Sequence, residues 1–126
     1  MTQQLQLQLF ETDDGSHYLN LVTPAEGCAF TADDLSRLIA ALSENRAQML
    51  PVIPPEAPQV ANMQNVAPDP LLFCAYDEMS DRFALVIRHP GYGWVGYALP
   101  VETVTALQRD LGKLVDHRNN QRRAPN

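Results

Sequence analysis

At 126 residues, 45% hydrophobic and 19% charged, the chain is long enough for one domain with its own core and too apolar to stay disordered. Its net charge of −6 opposes general contact with a phosphate backbone, which makes nucleic acid an unfavoured partner. No apolar run approaches the roughly 20 residues of a membrane span. Met1-Thr2-Gln3-Gln4 lacks the basic start of a secretory signal, so no membrane and a cytoplasmic location are expected, with Cys28 and Cys74 as buried free thiols.

The chain opens with glutamine alternating with leucine from Gln4 to Leu9. That is the period-two pattern of a strand with one buried face. Asp13-Asp14-Gly15-Ser16 supplies a turn, with Gly15 free to take a positive φ, and His17 to Val22 reads as the return strand of a β-hairpin over 4–22. A second turn at Pro24 to Gly27 leads to a short third strand at Cys28-Ala29-Phe30. Thr31 followed by Asp33 and Asp34 is a helix start, because a threonine oxygen and two carboxylates satisfy or complement the free N–H groups there. Leu35, Leu38, Ile39 and Leu42 then recur at helical spacing and predict a helix over 32–48.

Residues 51–70 hold Pro51, Pro54, Pro55, Pro58, Pro68 and Pro70, which exclude a helix or a central strand and predict a linker. Its Val52, Ile53, Val60, Met63 and Val66 are apolar enough to be expected to pack along the domain. Leu71 to Tyr76 reads as a strand, Asp77 to Asp81 as a turn, and Arg82 to Arg88 as a strand apolar on both faces and therefore central. His89-Pro90-Gly91-Tyr92-Gly93 turns, with Pro90-Gly91 as the centre of a type II turn, and Trp94 to Leu99 returns. Pro100 stands at a helix start, and Val101, Val104, Leu107, Leu111 and Leu114 form the apolar stripe of a helix ending near 116.

The pieces assemble into an α+β fold. The economical arrangement is one antiparallel sheet of five or six strands with two helices on one face. It is built from two similar β-β-(β)-α halves, 1–50 and 71–119, in a single domain 1–119, with a disordered tail at 120–126. Leu7 and Leu72, and Tyr18 and Phe83, stand at matching positions of the two halves.

Chemistry is harder to find. His17, His89 and His117 lie on different elements without paired cysteines, so no metal site is expected, and no motif asks for a cofactor. Cys74 sits inside an apolar strand, where a thiol stays protonated and inert, which removes it as a nucleophile for His89. Gly91, Gly93 and Gly96 spell GxGxxG but inside a hairpin, so the dinucleotide reading fails its context test. Asp77, Glu78 and Asp81 are ordinary turn carboxylates. With neither an activated nucleophile nor an acid–base pair, an enzyme is not the expected reading.

Two features remain as candidate binding surfaces. The loop around Arg88, His89, Tyr92 and Trp94 combines aromatic area with a forked donor. The bland reading is that the glycines shape a hairpin and Trp94 fills core. The acidic first half contributes Asp13, Asp14, Asp33, Asp34 and Glu44, which would steer the chain toward a basic protein partner. The expectation is a non-catalytic protein-binding module of adaptor, inhibitor, immunity or chaperone type. A small-molecule binding or sensing domain with a pocket near 88–97 is the alternative, and a homodimer is possible because sheet edges can pair.

Overall fold

The computed structural model describes residues 5–124. Gln4, where the glutamine–leucine alternation begins, and residues 125 and 126 of the expected tail lie outside them. The chain divides into two compact units, Met1–Val66 and Ala67–Asn126. Among the described residues, five strands form two antiparallel sheets, of two and three strands, beside two α-helices, so the class is α+β.

In the first unit, β1 (Gln6–Glu11) pairs with β2 (His17–Val22). Directly opposed residues share a face, so Leu7 with Leu21 and Leu9 with Leu19 make one apolar face. The other face carries Gln6, Gln8 and Asn20, with Phe10 and Tyr18 stacked at 5.1 Å. The turn uses Gly15 at φ 85, a conformation that costs a glycine nothing. α1 (Ala32–Gln48) begins at the Thr31 cap, whose hydroxyl accepts the Asp34 N–H at 3.2 Å. A clasp ties the end of this helix to the hairpin. The His17 N–H donates to the Leu50 carbonyl at 2.8 Å, and His17 Nδ1 accepts the Leu50 N–H at 2.7 Å. Cys28 to Phe30 make no strand; the second turn, closed by Gly27 N–H to Pro24 O at 2.9 Å, leads by irregular chain to Thr31. Three residues between a turn and a cap are too few to reach a partner strand. Beyond α1 the proline-rich segment holds a single short 3₁₀ turn, Val60–Asn62.

In the second unit, β3 (Leu72–Asp77), β4 (Arg82–His89) and β5 (Gly93–Leu99) form a meander with β4 central, as its two-sided apolar sequence requires. Leu72, Cys74 and Tyr76 share a face with Phe83, Leu85 and Ile87 and with Val95, Tyr97 and Leu99. The opposite face carries Phe73, Ala75, Ala84, Val86, Trp94, Gly96 and Ala98, with Arg82 and Arg88 toward its ends. Tyr76 leans on Phe83 at 4.9 Å and donates its hydroxyl to Asp81 at 2.8 Å. α2 spans Val101–Arg123.

Four sequence expectations are corrected here. The strands do not form one sheet of five or six, because a hydrophobic pattern fixes which face is buried and not which strand is the neighbour. The supposed third strand of the first half is absent, as described above. α2 continues to Arg123, so residues 120–123 are helical and not a disordered tail; Arg, Gln and Asn continue a helix that no proline or glycine stops. The connection at 89–93 is not a type II turn on Pro90-Gly91, since the positive φ falls on Gly93 (81°) and not on Gly91.

The units also differ from expectation in what they bury. No described side chain is fully buried in either one. Val52, Ile53, Val60, Met63 and Val66 are exposed in place of packing along the chain, and Ile53 and Val60 are 68% and 73% accessible. Both cysteines are free; Cys28 is half-buried and Cys74 is exposed.

Candidate functional site

The hairpin connection between β4 and β5 is built around His89. Its Nδ1 accepts the N–H groups of Gly91 and Tyr92, each at 3.0 Å, and its ring lies 4.6 Å from that of Tyr92. With Nδ1 accepting, the neutral ring carries its proton on Nε2 and presents a donor there. Arg88 gives its backbone N–H to Leu71 O at 2.9 Å, while among the described residues its guanidinium has no hydrogen-bond or ionic partner.

These residues border a cavity of about 260 Å³. Arg88, His89 and Tyr92 come from the hairpin; Ile87, Val95 and Tyr97 come from the sheet; Ala67 and Pro70 come from the segment leading into β3. The lining is mostly apolar, as in a small-ligand pocket, at a volume just under the usual range of about 300–1,000 Å³. The sequence reading found the hairpin residues and missed Tyr97. Its signal was present, since Val95, Tyr97 and Leu99 alternate with the residues of the other face.

Trp94 does not join Tyr92. It pairs with Arg88 in the ladder and lies on the other face of the sheet, its ring tilted over Phe73 at 5.8 Å, and it remains 53% accessible. It therefore fills no core. The two aromatic residues of the loop serve opposite faces.

No protein family, curated protein or solved structure matches the chain.

The acidic candidates belong to the first unit. Asp33 and Asp34 stand in the first turn of α1, where the free N–H groups favour negative charge. Glu44 lies eleven residues beyond Asp33 and so on the same helix face. Asp34 is paired with Arg37 at 3.6 Å, an exposed contact that offsets part of this charge. Asp13 and Asp14 occupy the β1–β2 turn. One oxygen of Asp14 is engaged in that turn: Oδ1 accepts from the Ser16 hydroxyl at 2.6 Å, the Ser16 N–H at 3.0 Å and the Thr12 hydroxyl. Those donors hold its carboxyl down at about 2, with the Ser16 hydroxyl the largest cause and the Thr12 hydroxyl next. Asp77 is lowered in the same way by the Ser80 hydroxyl and the Met79 N–H, and Tyr76 is raised by its bond to Asp81. These three shifts belong to turns that fasten the hairpins.

The Asp14 turn has a pH signature. A carboxyl lowered in the folded chain contributes stability that is complete above its ordinary value of 3.8 and is lost as pH falls toward about 2. Asp14→Asn is expected to reduce the loss of melting temperature over that interval, measured by circular dichroism. An identical acid dependence in the variant would show that the turn does not discriminate between the two protonation states.

Proposed function

We propose that this chain is a non-catalytic protein-binding module whose apolar surfaces are completed by a protein partner. One observation carries the reading: large apolar side chains are exposed throughout both units, including Leu35, Phe73, Tyr97 and Leu111, while no described side chain is buried. Soluble monomers rarely leave contiguous apolar patches beyond a few hundred Å². The two short sheets are then pieces that a partner extends or covers, which is where the larger sheet expected from the sequence would be found. The acidic residues Asp13, Asp33 and Glu44 supply long-range attraction for a basic partner, and Tyr92 and Trp94 supply anchors.

The test is affinity capture from native lysate with the full chain, beside the double variant Tyr92→Ala, Trp94→Ala, at low and high salt. The wild type is expected to retain a partner that the folded double variant loses, with retention falling as salt rises. Equal capture by both would discard the anchors, and indifference to salt would discard the electrostatic attraction.

A second reading is favoured by the cavity itself, where His89 stands on the same sheet face as Ile87 and Val95. A small ligand with an acceptor group would sit over Ile87 and Val95 with the His89 Nε2–H as donor. A thermal-shift screen with carboxylates and phosphates tests it, since any ligand that binds only the folded form raises the melting temperature.

A further inference from the structure

β5 is the edge strand of its sheet, and its own sequence does nothing to protect it. It pairs with β4 on one side only, and its sequence, GWVGYAL, holds no charge and no proline. Soluble proteins usually blunt such edges with lysine, proline or a bulge, because a free row of N–H and C=O groups recruits another strand.

We infer that β5 pairs antiparallel with β5 of a second copy of this chain, about a two-fold axis at Gly96, to join the two three-stranded sheets into one. This names an occupant for part of the surface on which the proposed function rests.

The register follows from the backbone. The Arg88 N–H is given to Leu71 across the β3–β4 ladder. Bonding direction alternates along a strand, so Phe83, Leu85, Ile87 and His89 bond toward β5, and their partners Leu99, Tyr97, Val95 and Gly93 bond back. Trp94, Gly96 and Ala98 are left with N–H and C=O directed away from the sheet. An axis at Gly96 sets Gly96 opposite Gly96 and Trp94 opposite Ala98 in both directions, so every outward group finds a partner. An axis at Val95 would send Ala98 beyond the strand to Tyr92, and one at Tyr97 would set Trp94 against Pro100, which has no N–H to give. The chosen register keeps each face of the sheet continuous and places the largest side chain against a small one.

Gly96 itself fits this position. Its φ is not in the left-handed region, and a Cβ there would meet Val86 Cγ2 at 3.9 Å, an ordinary contact. A Cβ at 96 therefore fits the protomer, and, because it would stand off the plane of the ladder, it leaves the edge free to pair. The area agrees. The chain exposes 11011 Å². Two separately folded units of half its mass would expose about 8,000 Å², leaving an excess of about 3,000 Å², against about 800 Å² per partner in a standard stable interface.

The experiment is light scattering on the full chain after size exclusion, at high micromolar concentration, with disulfide trapping. The wild type is expected at twice 14.0 kDa. Ala98→Pro removes an N–H that has no use within the protomer, and is expected to keep its β signal while weakening the dimer by more than about 100-fold. Ala98→Lys, a charge on the edge, serves if the proline variant loses that signal. In a background with Cys28→Ser and Cys74→Ser, Gly96→Cys is expected to oxidise to a linked dimer, and Met79→Cys, in the exposed β3–β4 turn, is not. A monomeric wild type overturns the inference, as does a dimer that Ala98→Pro leaves intact and Gly96→Cys fails to link. A monomer that still captures a foreign protein retires the dimer and leaves the binding module standing. A dimer that captures nothing else confines the binding to self-association.

Discussion

Leu107→Lys combined with Leu114→Lys is expected to leave the helix content of the chain unchanged and to abolish partner capture. Both leucines lie on the apolar stripe of α2 and are 40% and 64% accessible, so each still has apolar area to give a partner. The new lysines fall three residues before and four after Asp110, where opposite charges on a helix surface attract. Of the about 1.5–3 kcal/mol that full burial of a leucine yields, a partner that covers the stripe would lose the shares still exposed, and would in addition have to desolvate two ammonium groups. Affinity should fall by more than about 100-fold. Far-UV circular dichroism and capture, run on the same preparation, separate the two effects. Undiminished capture by a variant with full helix content would show that α2 is not part of the binding surface. A variant that loses helix would instead show that the stripe is packed within its own unit.

That experiment depends on which parts of the structure the sequence could and could not reveal. Local signals were strong. The glutamine–leucine alternation, Gly15 in its turn, the Thr31 cap and the two-sided apolar run of β4 each act through neighbouring residues, and the five strands and α1 stand within a few residues of their expected places. The end of α2 was missed because polarity after Asp116 resembles a solvated tail, although arginine and glutamine are good helix formers. The turn glycine was misplaced because Gly91 and Gly93 are both available, and the two His89 hydrogen bonds, invisible in a linear sequence, favour the loop that puts the strain on Gly93. The partition into two sheets was not legible at all. Leucine alternation specifies a face to be covered and is silent on whether a helix, another strand or another molecule covers it. The same ambiguity governs the candidate site. Arg88, His89 and Tyr92 were found together through sequence proximity, whereas Tyr97 reaches the cavity only through the β4–β5 register, which also sends Trp94 to the other face.

A unit without a buried core places an unusual share of its stability in the ladder of its central strand, and Leu85→Pro is expected to expose this. Leu85 lies mid-way along β4, opposite Cys74 on one side and Tyr97 on the other, and its N–H bonds toward β5. Proline removes that donor, fixes φ near a value the strand does not use, and crowds the neighbouring chain. Sheet proline is confined to edges for these reasons. The cost should be on the order of 3 kcal/mol or more, against total stabilities of about 5–15 kcal/mol for ordinary domains. Trp94 reports the outcome, because its ring rests on Phe73 across the same sheet and its neighbours Gly93 and Val95 pair with β4. The variant is expected to show the emission of a solvated tryptophan and no cooperative urea transition of that signal. Ala98→Pro, one strand away with its N–H directed outward, should retain the transition. If Leu85→Pro unfolds within a few tenths molar urea of the wild type, the strand ladder is not what holds the second unit together. If both prolines unfold it equally, the outward direction of the Ala98 N–H is wrong, and the edge-pairing register goes with it.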